Sequence, residues 1–205
     1  MNFWVILLLA LQLAACAGSG RDSAQAAVYD FGLPASSLAH ESVVAKLALE
    51  VKAAAWFEGR AIAYRLAYDD PLSLREYTES RWVSPPALLL GQRLRQQLGV
   101  FSASSNTAVD CLIRFDLQEF SQVFASPEQS SALLHGKASV VDAKRRMIAE
   151  RVFSIEQAAA TQDARGGVSA LVAASDQLAR QLAAWLSGLE NGQALKGCRS
   201  TPIIK

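Results

Sequence analysis

The chain has 205 residues, 51% of them apolar and 19% charged, with a formal net charge of +1. Such a composition can bury the core of one domain behind a leader and excludes wholesale disorder. The near-neutral balance gives no long-range pull toward nucleic acid, and three cysteines, two histidines and two methionines are too few for a Cys/His metal cage.

Residues 3–13 read FWVILLLALQL. The run is far shorter than the roughly 20 residues of a bilayer-crossing helix. It suits the h-region of a signal peptide, although no Lys or Arg precedes it. The tetrapeptide Leu13-Ala14-Ala15-Cys16 resembles the bacterial lipobox, which implies cleavage before Cys16 and diacylation at its thiol. The competing interpretation is an ordinary signal peptide with an incidental cysteine. Two or more acyl chains make a lasting anchor. Ala17 rather than Asp follows Cys16, which favours the Gram-negative outer membrane over the inner. The expected organisation is a signal peptide (1–15), a lipidated cysteine with a flexible tether (16–27), and a single domain (28–205).

Within the body, Val28–Pro34 reads as a short strand ended by Gly and Pro. Leu47, Leu49, Val51, Ala53, Ala55 and Phe57 alternate with Lys46, Glu50 and Lys52, the period of a half-buried strand. Glu58-Gly59 makes a turn. Ile62, Tyr64, Leu66 and Tyr68 then share a strand face opposite Arg65, and Asp69-Asp70-Pro71 ends it. A short strand is expected at Leu74–Tyr77, then a loop. Ser84-Pro85 opens a helix with Leu90, Leu94 and Leu98 on one face, Arg93 and Gln96 on others, and Gly99 at its end.

Cys111, Ile113, Phe115 and Leu117 share a face, with Arg114, Asp116 and Gln118 opposite. Residues 131–143 and 146–157 read as a hairpin. The last element, roughly Gly167–Leu189, repeats Val168, Leu171, Val172, Leu178, Leu182, Trp185, Leu186 and Leu189 at threes and fours, with Asp176, Arg180 and Gln181 on its polar face. The fold expected is an α/β two-layer sandwich: one mixed sheet of five or six strands with two amphipathic helices on one face.

With Cys16 lipidated, Cys111 and Cys198 remain. An even pair in an exported chain points to a disulfide that pins the tail to a strand. The alternative is two separate thiols, Cys111 having the phase of a buried face.

Catalytic signals are weak. His135 lies on the polar face of its strand with Lys137 and Ser139, without a nucleophile elbow. His40 falls in a loop. Asp69-Asp70 before a proline reads as a turn rather than an acid–base pair. The glycines of ARGGVSA, 164–170, lack the Lys-Ser/Thr of a phosphate loop. Tyr64, Tyr68, Tyr77 and Trp82 lie within nineteen residues. They read either as core and helix cap or as a partner-binding surface, since Tyr and Trp anchor interfaces.

The segment AIAYRLAYDDPLSLREYTESRWVSPPALLLGQRLRQQL resembles the central signature of the ABC-type transport auxiliary lipoproteins, including the PqiC-like lipoproteins that accompany MCE-domain proteins. The matching features are Tyr64-Arg65, Tyr77, Trp82, Pro85-Pro86 and the leucine-rich helix to Leu98, with Tyr29–Gly32 and the closing helix in support. The resemblance implies a fold like the N-terminal domain of TolB. It implies a non-catalytic role, without cofactor or metal, in moving lipids or other hydrophobic compounds across the envelope. An ABC transporter and an MCE-domain protein would be its partners, at the periplasmic face of the outer membrane, and ring assembly among relatives implies self-association. Two other functions compete: a lipoprotein that holds a small hydrophobic ligand between sheet and helices, and a hydrolase built around His135 with a serine and an acid.

Overall fold

The computed structural model describes residues 26–34, 37–38, 47–105 and 109–198. Cys16, the leader, most of the tether and His40 lie outside the described residues. The described chain runs β1 (Ala27–Tyr29), β2 (Leu47–Ala53), β3 (Ala61–Leu66), β4 (Asp70–Trp82), α1 (Pro86–Leu98), β5 (Phe101–Ser102), β6 (Cys111–Ser126), β7 (Gln129–Asp142), β8 (Met147–Ala158) and α2 (Ala164–Asn191). The strands form one mixed eight-stranded sheet. That exceeds the expected five or six: the strand read at Val28–Pro34 is β1, ending already at Tyr29, and β5, two residues long, is too short to show a period.

β6 is the spine. One edge pairs antiparallel with β7, which pairs antiparallel with β8. The other edge is shared by two shorter parallel strands, β2 along Cys111–Leu117 and β3 along Ser121–Phe124. Between them the chain makes a short 3₁₀ turn at Ala55–Phe57. The Ala54 amide still donates to the Leu117 carbonyl at 3.4 Å. The alternation read through Phe57 is therefore strand only to Ala53, followed by chain that stays beside β6. β4 pairs antiparallel with β3, β1 parallel with β4, and β5 parallel with β2.

Two expectations change here. β4 has 13 residues, not four and a loop. Register shifts against β3 break its period of two, so its apolar and polar residues cease to alternate cleanly. Tyr68 leaves the face of β3 and sits exposed in the turn that joins β3 to β4.

A second bulge sets the core. Leu117 pairs with Gly136 and Glu119 with His135, which leaves Gln118 as an extra residue. The bulge moves the inward phase by one. Cys111, Ile113, Phe115 and Leu117 are buried before it, and Phe120 and Phe124 after it. Both helices cover that same face. Leu90 and Leu94 of α1, and Leu171, Leu178 and Leu182 of α2, are fully buried, each contributing about 1.5–3 kcal/mol through burial. Gly99 ends α1 in the left-handed conformation, φ 66°, and donates to the Arg95 carbonyl. Asp163 caps α2 by accepting from the Gly166 amide at 2.8 Å. That bond, with one from Thr161, holds its carboxyl below the usual range.

Gly136 on β7 is required for packing. A Cβ there would lie 2.6 Å from both the Phe115 ring and the Asp116 carbonyl oxygen. The backbone atom cannot step aside, and Phe115 is fully buried. Gly136→Ala is expected to destabilise the fold by about 2–3 kcal/mol in urea unfolding. A loss below about 0.5 kcal/mol would mean that β6 and β7 do not approach this closely.

The disulfide joins Cys111, the first residue of β6, to Cys198, in a short 3₁₀ turn at Ala194–Cys198. Both cysteines and Leu195 are buried, so the segment after α2 folds back onto the sheet.

Candidate functional site

The aromatic set separates into three environments. Trp82 is core: it is 1% exposed, edge-on to Phe31 at 5.2 Å between centroids and 6.0 Å from Phe120. It closes β4 beneath the start of α1, so it cannot be part of a docking surface. Tyr64 and Tyr77 are half-buried and lie 4.7 Å apart. The Tyr77 hydroxyl donates to Gln122 Oε1 at 2.9 Å, and Gln122 Nε2 donates to Ser130 Oγ at 2.8 Å. The Ser130 hydroxyl donates in turn to Gln162 Oε1 at 2.5 Å. Burial, then Tyr64 and Asp163, push the Tyr77 phenol up to about 12, so it remains a neutral donor that ties β4 to β6. The partner of this chain on the helix side is Gly167, whose missing Cβ makes room for the Gln122 amide.

Only Tyr68 of the four projects into solvent, at 48% exposure, with Leu72 beside it at 88%. The turn is braced: Arg75 Nη2 bonds Asp69 Oδ2 at 2.8 Å, and Asp70 Oδ1 accepts from the Leu72 amide at 3.0 Å. The two carboxylates thus have separate turn-building partners and form no acid–base pair.

His135 lies on the sheet face away from the helices. Register sets Glu119 on one side of it and Ser154 on the other. No hydrogen bond joins the three among the described residues. Glu119 Oε2 is instead held by Arg65 Nη2 at 3.0 Å, and Ser154 lies in mid-strand rather than on a turn that would expose its hydroxyl for attack. The rest of this face is a charged lattice: Arg114 bonds Glu50, and Lys137 meets Glu150 at 3.3 Å. Among the described residues there is no group of three or more side chains able to hold a metal.

One buried, fully bonded charge escaped the sequence reading. Arg93, expected on a different face of α1 from Leu90 and Leu94, is 4% exposed. Its Nε and Nη2 donate to the two oxygens of Asp176 at 2.6 and 2.9 Å, and its Nη1 donates to the Phe31 carbonyl at 2.5 Å. Gln97 Nε2 adds a bond to Asp176 at 2.8 Å. Asp176 therefore faces α1 rather than solvent. A signal was present, since 90, 93, 94 and 97 are the i, i+3, i+4, i+7 stripe of a buried helix face. Arg and Gln on that stripe announce a buried polar pair.

These features define a two-layer α/β domain with a stapled tail; no helix among the described residues is long and apolar enough to cross a membrane. Residues 33–183 match the model of the ABC-type transport auxiliary lipoprotein component, and the chain belongs to that family. Protein XCC0632 of Xanthomonas campestris, a DUF330 family member, has a similar crystal structure, with a TM-score of 0.67 at 17% identity over 81% of this chain and 99% of that one. A second solved structure, of an uncharacterized protein, superposes with a TM-score of 0.62 at 16% identity, covering 79% of this chain and 99% of the other. At such identities the likeness is one of fold. No curated protein matches the sequence significantly.

Proposed function

We propose that this protein is a non-catalytic, lipid-anchored periplasmic component of an ABC/MCE-type system that transports lipids or other hydrophobic compounds. Residues 1–15 are the signal peptide, Cys16 carries the acyl chains, residues 16–27 tether, and 28–205 form the working domain. The mechanism is positional. The anchor holds the domain at the periplasmic face of the outer membrane while its surface docks an MCE-domain protein, alone or as a ring of copies. Membership of the transport auxiliary lipoprotein family, across most of the folded chain, carries this reading.

Tyr68 and Leu72 are the favoured docking side chains, being an exposed aromatic–aliphatic pair on a braced turn. A ligand held between sheet and helices is the less favoured reading. Phe115, Phe153, Leu171 and Leu178 already fill that interface, each at most 1% exposed. The test is cross-linking and capture of the acylated protein from native envelopes. An MCE or ABC component is expected in the captured fraction, reduced at least fivefold by Tyr68→Ala with Leu72→Ala. Recovery of neither component from wild type would overturn the reading.

A further inference from the structure

The tether meets the folded body at β1, whose residues pair with Ser80–Trp82 at the end of β4. The Tyr29 carbonyl accepts from the Val83 amide at 2.7 Å, and the Arg60 carbonyl from the Trp82 amide at 2.8 Å. The chain therefore enters beside the start of α1, and at this end apolar side chains gather on the surface. Trp56 is 68% exposed, Leu88 61%, Val28 48% and Val83 48%. Phe57, Pro85, Ala87 and Leu88 line an open groove that continues the patch toward Val51 and Ala53. Lys52, paired with Glu50 at 3.4 Å, and Arg60 and Arg81 are exposed around it, with Glu58 and Asp30 among them.

We infer that this end of the domain, centred on Trp56 and Leu88, rests on the lipid surface that holds the anchor. The inference depends on acylation at Cys16, as in the proposed function, and adds which face meets the bilayer. Three arguments select a membrane over a protein as the occupant. First, Cys16 and Ala27 are eleven residues apart, so the tether spans at most about 40 Å fully extended. The patch adjoins the point of attachment and needs none of that reach. Second, the composition is that of an interfacial contact: an indole with apolar neighbours inside a rim of balanced charge, suited to the headgroup level of a bilayer. Third, the exposed pair favoured for docking, Tyr68 and Leu72, lies at the far end of β4, about 26 Å along the strand from Ser80. Seating the Trp56 end on lipid points that pair into the periplasm.

The acylated full-length protein, with Trp56, Trp82 and Trp185 after cleavage, would be reconstituted into phosphatidylethanolamine–phosphatidylglycerol vesicles with and without brominated acyl chains. Flotation reports the anchor and tryptophan quenching reports the face. The expected result is co-flotation, with quenching by brominated lipid that falls at least twofold in Trp56→Phe. Leu88→Glu should float equally well and lose a similar share of the quenching. Because Trp56 and Leu88 are exposed, both variants should keep the wild-type circular dichroism. Co-flotation with equal quenching in wild type and Trp56→Phe would overturn the inference while leaving the anchor intact. So would Trp56 emission that shifts only when a partner protein is added, since the patch would then be a protein contact. A chain that stays in solution would overturn the proposed function and this inference with it.

Discussion

Removing the Cys111–Cys198 bond as the double variant Cys111→Ala/Cys198→Ala is expected to lower stability by about 3–5 kcal/mol. The two cysteines are 87 residues apart, and closing a loop of that length reduces unfolded-chain entropy by the equivalent of about 4–5 kcal/mol. Against a typical domain stability of about 5–15 kcal/mol, that is a large fraction. The loss should appear in urea unfolding as a lower midpoint, and in heating as a Tm reduced by about 10 °C. Part of the effect is local. Leu195 is fully buried beside the bond, and with the staple gone this last turn can detach while the sheet persists. Amide exchange in residues 194–198 should then exceed that of β6. A double variant within 1 kcal/mol of wild type would show that the tail is held by packing alone.

Breaking the ion pair between the helices ranks second. Asp176→Ala should destabilise by about 3 kcal/mol, the low end for leaving one charge of a buried pair without its partner, because Asp176 is 24% exposed while Arg93 is 5%. The substitution removes three hydrogen bonds and strands the guanidinium on two backbone carbonyls. Arg93→Met combined with Asp176→Leu should recover most of the loss, since apolar replacement of a whole buried pair is often neutral or better. A double variant as unstable as Asp176→Ala alone would show that the Arg93 contacts to Phe31 and Gly32, not the ion pair, hold the helices and the segment after β1 together. The pH dependence has a definite sign. Burial pushes the Asp176 carboxyl up, but the bond from Arg93, its charge and the Gln97 amide outweigh this and leave it below the ordinary range. The pair's contribution is therefore complete above about pH 4 and is lost as pH falls through the depressed folded value.

The alternation at Cys111–Leu117 revealed the spine strand because one of its faces is buried and the other polar. The stripe in α2 revealed the second layer for the same reason. What escaped the sequence are places where two elements share one job. Gln118 is an ordinary polar residue until β7 shows that it has no partner. β4 hides its length because half of it faces solvent and its pairing slips. Trp82 reads as core and cap or as anchor until Phe31 and Phe120 are found against it. Arg93 and Asp176 are 83 residues apart, and nothing local on either helix names the other. The surface end around Trp56 was illegible because Val28, Trp56, Val83 and Leu88 come together only through β1, the 3₁₀ turn and α1.

The shared edge of β6 has a consequence for how the chain acquires its shape. Leu47 must wait for Cys111, and Ala63 for Ser121, before β2 and β3 find their parallel hydrogen-bond partners, whereas β6, β7 and β8 join through tight turns between sequence neighbours. Synthesis delivers the N-terminal strands first and their template more than fifty residues later, so the leading half has no completed sheet to join until the β6–β8 meander forms. Contacts that are late to close leave that half pliable at the stage when a chain is most easily drawn, unfolded, through a narrow passage.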